Sequence, residues 1–153
     1  MARVTRQRTI AAPVDEVWGL ISDPYSLPRW WPRTSRVESV DRKPEGKRSQ
    51  WTKVLETAEG RGVRADYRCL SSAEGERYVW EQQLAGGPFE RHLRSSVVEI
   101  GLRSEEGGTA VSLTSDQKLR GMSRLGAPMM RGGQSKILEQ ALDGLEAALG
   151  GSR

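Results

Sequence analysis

Cysteine and histidine are almost absent from this chain of 153 residues, which has one cysteine, Cys69, and one histidine, His92. A single cysteine excludes an internal disulfide and a zinc site built from several cysteines. A single histidine excludes metal sites with several spaced histidines, and no HExxH, CxxC or GxSxG motif occurs. We therefore expect neither a metal nor an organic cofactor.

Long apolar runs are also missing. No run approaches the roughly 20 residues that a membrane-spanning helix needs. The N-terminal segment MARVTRQRTIAAP is basic but lacks the apolar stretch of a secretory signal. We therefore expect a cytoplasmic protein without membrane insertion, and the length suits a single domain over residues 1–153.

The charge is moderately basic, with a formal net charge of +4 and a pI near 9.6. The basic residues are scattered and acidic residues such as Glu38, Asp41 and Glu45 are interleaved with them. A nucleic-acid surface usually shows a concentrated basic stripe within a recognisable module. We therefore expect a solvated surface of mixed charge and no nucleic-acid partner, and the sequence predicts no oligomeric state.

The first 33 residues predict a strand followed by short helices. Residues 3–10 favour a strand, and Pro13 suits the first turn of a helix that ends at Asp23-Pro24. One apolar face of that helix has helical spacing: Val14, Val17, Trp18 and Ile21. A second helical turn is predicted from Tyr25 to Trp30.

Residues 34–121 predict an antiparallel meander. Six short alternating segments are separated by polar, glycine-rich turns such as KPEGK, AEGRG and SEEGG. In one segment Val63, Ala65, Tyr67 and Cys69 share a face while charged residues occupy the other. The sheet is therefore expected to have one dry side and one wet side.

The last segment predicts a long helix that covers the dry side. Its apolar stripe includes Leu138, Leu142 and Leu145. Two consecutive glycines, Gly132 and Gly133, lie near its start, and each would cost about 1 kcal/mol relative to alanine inside a helix. Either the helix begins after them, or they break it and give room or mobility at a pocket mouth.

This order of elements is typical of a helix-grip fold, and the sequence resembles the START-like (SRPBCC) superfamily, in its polyketide cyclase/dehydrase-like and lipid-transport branch. The segment IAAPVDEVWGLISDPYSLPRWWP at 10–32 carries the likeness, with weaker support from GGTAVSL at 107–113 and LDGLEAAL in the last helix. The likeness covers essentially the whole chain. It implies an α+β fold with a curved antiparallel sheet of about seven strands around the C-terminal helix.

The resemblance also implies a cavity between sheet and helix that holds a hydrophobic small molecule, such as a lipid, a polyketide or a related metabolite. Members of the superfamily include carriers, receptors and aromatase/cyclases, and fold alone does not choose among them. A polyketide aromatase/cyclase or dehydratase that needs no cofactor is therefore one alternative. A ribosome- or chaperone-interacting module is another, and the net positive charge is compatible with it.

The stretch LPRWWPR contains two of the five tryptophans side by side. Neighbouring side chains diverge on both strands and helices, so both indoles cannot easily face one core. In related folds the segment closes one end of the cavity, which predicts that Trp30 anchors it in the core and Trp31 lies at the cavity rim. The alternative is simple packing, with one indole against Trp18 and the other under Arg29 or Arg33.

Two further sets of residues are candidates for contact with a ligand. Tyr67, Tyr78 and Trp80 lie at alternating positions of predicted strands, an arrangement that suits either a ligand pocket or an ordinary core. Met129 and Met130 precede the long helix, and methionines adapt to irregular apolar shapes, as a gate would need.

The candidate catalytic residues are His92 and Arg94. Without a bulge they share the parity of Val98 and Ile100 and face the cavity, where they could donate a proton or bind a carbonyl oxygen. With a bulge, Leu93 faces inward instead. A plain exposed strand face is the third interpretation.

Overall fold

The computed structural model describes residues 2–41, 50–56, 62–84, 93–119 and 127–149, with side chains from residue 131 onward in the last range. Within these ranges the chain forms seven strands, three α-helices and one 3-10 turn. The elements are β1 (Ala2–Ile10), α1 (Val14–Ile21), the 3-10 turn (Pro24–Ser26), α2 (Leu27–Trp30), β2 (Thr34–Asp41), β3 (Gln50–Glu56), β4 (Gly62–Ala73), β5 (Arg77–Gln83), β6 (Leu93–Glu105), β7 (Gly108–Leu119) and α3 (Ala127–Leu149).

The strands form one antiparallel sheet in the order β1-β7-β6-β5-β4-β3-β2. Strands β2 to β7 pair with their neighbours along the chain, so the predicted meander is confirmed. Strand β1 joins the far end of the meander, with Ala2 opposite Gln117 and Ile10 opposite Thr109. The predicted helix-grip architecture is confirmed as well, because α3 packs against β1, β7 and α2.

The start of α3 differs from both predictions made for it. The helix begins at Ala127 and continues through Gly132 and Gly133 without a break. Both glycines are exposed, and a Cβ placed on either would meet nothing within 4 Å. The helix is maintained because burial of its apolar stripe outweighs the weak helical preference of glycine. In the described part of the chain no helix is both long and apolar enough to cross a membrane.

The core lies between the dry face of the sheet and three covering helices. The centre of the apolar stripe of α3, Leu138, Leu142 and Leu145, is fully buried, as expected from its spacing. The largest buried side chains come from the sheet and from all three helices: Ile10, Val17, Leu27, Trp51, Tyr78, Trp80, Ile100, Val111, Leu113, Leu138, Leu142 and Leu145. One hydrophobic cluster therefore joins the layers, as a domain of this size requires.

An ionic contact fixes the polar side of α3 to β1. The Arg8 guanidinium donates hydrogen bonds to Asp143 at 2.5 Å, Glu146 at 2.6 Å and Glu139 at 2.8 Å. These acids lie one helical turn apart, so a single arginine reaches three successive carboxylates. Arg6 adds a hydrogen bond to the Ser135 hydroxyl at 2.9 Å. The contact sets the position of α3 along the strand.

The backbones of α2 and α3 approach each other closely in the core. A Cβ placed on Gly144 would overlap the carbonyl oxygen of Trp30 and lie 2.8 Å from its Cα. Glycine is therefore required at this crossing, because any side chain would push the two helices apart.

We expect Gly144→Ala to lower the free energy of unfolding by about 1–3 kcal/mol or more, since the added methyl group overlaps the backbone of α2. The matched control is Gly133→Ala on the same helix, where the methyl group meets no neighbour. There the better helix propensity of alanine should raise stability by up to about 1 kcal/mol. Denaturant unfolding of both variants measures the difference, and equal effects would refute the close contact.

Candidate functional site

Six aromatic side chains converge on the dry face of the sheet, and we call them the aromatic cluster. Trp30 comes from α2 and Trp31 directly follows it, while the others lie on β3, β4 and β5: Trp51, Tyr67, Tyr78 and Trp80. Strand alternation brings the sheet residues to one face, and pairing places Trp51 directly opposite Tyr67. The cluster therefore joins the α2 segment to three neighbouring strands.

The rings of the cluster meet mostly edge to face. Trp31 lies 5.3 Å from Trp80 and 5.4 Å from Trp30, measured between ring centroids, with the planes nearly perpendicular. Trp51 contacts Trp80 in the same way at 6.1 Å and stacks on Tyr67 at 6.2 Å. Such pairs add about 0.5–1.5 kcal/mol each beyond the burial of their area. The cluster is consequently a rigid apolar wall.

The two tryptophans of LPRWWPR take different positions in it. Trp30 is only 2% exposed, as expected for a core anchor, and Trp31 is half-buried. Within the described residues Trp18 meets Tyr78 edge to face, and the cation near Trp31 is neither Arg29 nor Arg33. A rim position for Trp31 agrees with its partial exposure, and its role toward a ligand stays a prediction.

That cation is Lys53, on the dry face of β3. Its side chain is buried, and its Nζ lies 4.3 Å from the Tyr67 ring centroid, 5.0 Å from that of Trp31 and 5.8 Å from that of Trp80. We call these three rings the aromatic cage. Within the described residues no carboxylate lies at ion-pair distance from Nζ and no hydrogen bond reaches it. A buried lysine without a counter-ion is rare, because the charge loses its hydration.

Burial changes the acid–base properties of two groups in the site. Desolvation lowers the pKa of Lys53 from 10.5 to about 7, so a large fraction of the amine is neutral at neutral pH. Desolvation also raises the pKa of Tyr67 above its ordinary value, which keeps this phenol protonated. The site therefore combines a partly neutral amine with a protonated phenol.

Few other polar groups reach the dry face. The Ser115 hydroxyl donates to Oε1 of Gln134 on α3 at 2.7 Å, and Nε2 of Gln117 donates to the Ser96 hydroxyl at 3.1 Å. The indole nitrogens of Trp30 and Trp51 are buried and donate no hydrogen bond within the described part of the chain. Buried donors of this kind are stabilised by an acceptor atom, which a ligand can supply.

Arg94, one of the two predicted catalytic residues, lies at an irregularity of β6. The pairing of β6 with β7 shifts between Leu93 and Ser95, so a bulge occurs there. Leu93 is buried and Arg94 is exposed, which is the arrangement expected with a bulge. The position of Arg94 lends no support to a catalytic role, which stays a prediction. His92 and the side chains of Met129 and Met130 lie outside the described residues.

One open pocket of about 340 Å³ lies between α1, the α2 segment and the end of α3, beside Gly19, Leu20, Arg29 and Leu149. None of its lining residues belongs to the aromatic cluster. The predicted cavity between sheet and α3 is a different space, and it stays a prediction. In the ranges that the structure covers, no three His, Cys, Asp or Glu side chains converge to hold a metal ion.

Sequence reasoning missed Lys53 and Trp51. Strand parity carries a signal for both, because they are two residues apart in QWTKVLE and one of them is a large aromatic. The signal is weakened by Val54, which is also buried on the opposite face of the strand. A lysine next to a buried valine is ordinarily interpreted as the exposed member of the pair.

The buried amine predicts a pH-dependent stability. Below about pH 7 the amine is charged in both states, so the folded protein carries the full desolvation cost, up to roughly 5 kcal/mol. Above pH 7 the folded state releases this proton while the unfolded chain keeps it up to about pH 10.5. Stability due to Lys53 therefore rises with pH across this window.

Lys53→Met should accordingly be more stable than the native protein below pH 7, and the difference should shrink by about 1.4 kcal/mol per pH unit above it. Denaturant unfolding of both proteins at a series of pH values measures this slope. The control is Lys136→Met on the exposed side of α3. A Lys53→Met difference that does not change with pH would contradict the buried amine.

The fold of this chain is also found in solved structures of other proteins. A START superfamily protein from Mycobacterium smegmatis is 18% identical, with a TM-score of 0.80 over the whole of both chains. A protein from Thermus thermophilus is 23% identical, with a TM-score of 0.74 over 96% of each chain. The di-domain ARO/CYC protein StfQ of the steffimycin biosynthetic pathway is 12% identical, with a TM-score of 0.77 over 97% of this chain and 50% of that one.

These identities are low, so the structural likeness shows the fold alone. A search of the curated proteins finds no significant match. The model of one family, described as polyketide cyclase / dehydrase and lipid transport, matches residues 1–150. The resemblance to the START-like superfamily is thereby confirmed, and the chain belongs to the polyketide cyclase/dehydrase and lipid transport family.

Proposed function

We propose that this protein binds a hydrophobic small molecule, such as a lipid, a polyketide or a related metabolite, between the dry face of the sheet and α3. The observation that carries the proposal is the aromatic cluster with Lys53 at its centre. Ligand sites are commonly lined by apolar and aromatic side chains with a few polar groups that orient the ligand. Family membership supports the same class of ligand.

The polar groups of the site fit a ligand that is mainly apolar. Among the described residues the buried indole nitrogens of Trp30 and Trp51 have no hydrogen-bond partner, and the Lys53 amine contacts only aromatic rings. An ordinary core pairs its buried polar atoms internally. A ligand with an oxygen atom at one end would meet these groups while its hydrocarbon part contacts the rings.

The surface charge weighs against the interaction-module alternative. Arginines on the wet side of the sheet pair with acids on nearby strands: Arg64 on β4 reaches Glu38 on β2 at 2.7 Å, and Arg77 on β5 reaches Glu99 on β6 at 3.1 Å. Arg68 pairs with Glu81 in the same way. In the described part of the sheet these exposed pairs mix the two signs of charge instead of leaving a basic stripe. A small-molecule ligand therefore remains the better proposal.

We expect the freshly purified protein to carry, or to take up, an apolar molecule. Native mass spectrometry reveals the bound mass, and organic extraction then identifies its chemical class. A ligand-free mass, together with no uptake from a panel of lipids and polyketide mimics, would refute binding of a hydrophobic ligand.

Trp31→Ala should weaken the affinity for such a molecule by about tenfold, because the variant loses one aromatic face of the site. The matched control is Tyr25→Ala, which removes an exposed ring next to α2 and outside the cluster. Affinities are compared by titration with the extracted molecule, and unfolding is followed in parallel to detect loss of stability. An unchanged affinity in Trp31→Ala would remove this residue from the site.

A polyketide aromatase/cyclase or dehydratase is the second candidate function. It is favoured by the buried amine, since a neutral lysine in an apolar pocket is a competent general base. The similarity in fold to StfQ, a di-domain ARO/CYC protein, also supports this candidate function. A poly-β-ketone thioester analogue tests this function, with product detected by mass spectrometry in the native protein and in His92→Ala, Arg94→Ala and Lys53→Met. Absence of turnover by the native protein would leave ligand binding as the function.

A further inference from the structure

The environment of Lys53 is unusual for a lysine with a purely structural role. A structural lysine ordinarily extends its ammonium to water or to a carboxylate while its stem packs against apolar atoms. Here the amine itself is buried, at the centre of the aromatic cage. The acids near β3 do not reach it, since Asp66 accepts a hydrogen bond from Thr52 and Glu38 pairs with Arg36 and Arg64.

Pairing within the sheet places a small side chain opposite this lysine. Directly opposite Lys53 on β4 lies Ala65, whose side chain is one methyl group. The larger neighbours, Tyr67 and Trp51, lie two residues away on their strands and on the same face. The amine is thus surrounded by flat rings, with no acid among the described residues placed to hold its proton. Burial moreover lowers its pKa to about 7, so that part of the amine population has a free lone pair at neutral pH.

An unprotonated amine in an apolar, water-poor site is a nucleophile toward carbonyl carbon. We propose that Lys53 forms a reversible imine with a ketone or aldehyde group of an apolar ligand held by the aromatic cage. This inference rests on the proposed function and names both the reactive group of the ligand and the atom that captures it.

The chemistry balances without a further reactant. The Nζ lone pair attacks the carbonyl carbon, and the carbonyl π electrons move to oxygen to form a carbinolamine. Both hydrogens of the amine then leave with that oxygen as one molecule of water, and a C=N bond remains. Exclusion of water by the rings of Trp31, Tyr67 and Trp80 favours the condensed product, and water that enters reverses the reaction.

The test uses 2-naphthaldehyde as the probe, with 2-naphthylmethanol as a matched compound that cannot form an imine. The full-length protein is incubated with the aldehyde at neutral pH, and sodium cyanoborohydride reduces any imine to a stable amine. Intact mass then counts the naphthylmethyl groups, and peptide mapping locates them. The exposed lysines Lys118 and Lys136 serve as internal controls on the same molecule.

We expect one naphthylmethyl group on Lys53, at a level at least about tenfold above that on Lys118 or Lys136. Excess 2-naphthylmethanol should suppress the labelling by competing for the cage. Lys53→Met should lose the label and still bind 2-naphthylmethanol, whereas Lys136→Met should label like the native protein. Peptide mapping of the native protein decides the matter even if Lys53→Met does not fold.

Two results would overturn the imine: no adduct, or adducts confined to the exposed lysines. Native mass spectrometry with 2-naphthylmethanol separates this failure from failure of the proposed function. Binding of the alcohol without an adduct on Lys53 means that the site holds apolar ligands and that the amine does not react. No binding and no adduct removes support from both. If no adduct forms but 2-naphthoate displaces 2-naphthylmethanol, the amine binds the ligand's carboxylate through its charge instead of forming an imine.

Discussion

The contact between Gly144 and the backbone of Trp30 is the constraint on which the rest of the interior depends. It lets α2 lie directly against α3, and the α2 segment in turn holds both Trp30 and Trp31 over β3 and β5. If the helices were separated by one methyl group, the two indoles would shift relative to the sheet. Interiors are packed too densely to absorb such a shift locally. The absence of a side chain at Gly144 thus lets Trp30 and Trp31 pack against Trp80.

Ionic contacts of α3 with β1 complement the close packing of α3 against α2. Arg8 is joined to three carboxylates along nearly two turns of the helix, which fixes its position on the edge strand. Arg8 is itself only partly exposed, so this network is less screened by solvent than an isolated surface pair. The contact of Gly144 with Trp30 sets the distance between α2 and α3. The Arg8 network sets the position of α3 along β1. Together they hold the aromatic cluster in one geometry without any covalent link.

The sequence predicted the order and type of the elements well, because alternation and helical spacing reflect burial directly. It failed where geometry depends on contacts distant in the chain. Gly132 and Gly133 look like a helix boundary until the buried stripe beyond them is taken into account. The bulge that turns Arg94 outward depends on pairing with β7, and no residue near it signals the shift. Lys53 was overlooked because a charged residue is rarely buried.

The pairing of β1 with β7 also bears on how this chain is made. Residues Ala2 to Ile10 lie far along the chain from their partner in the described sheet, Thr109 to Gln117. Strand β1 therefore cannot pair with β7 until the intervening segment has been synthesised, and the loop that closes is roughly a hundred residues long. Strand β1 has three arginines and few large apolar residues. Charge on an unpaired strand discourages pairing with other chains, which protects β1 until β7 is available.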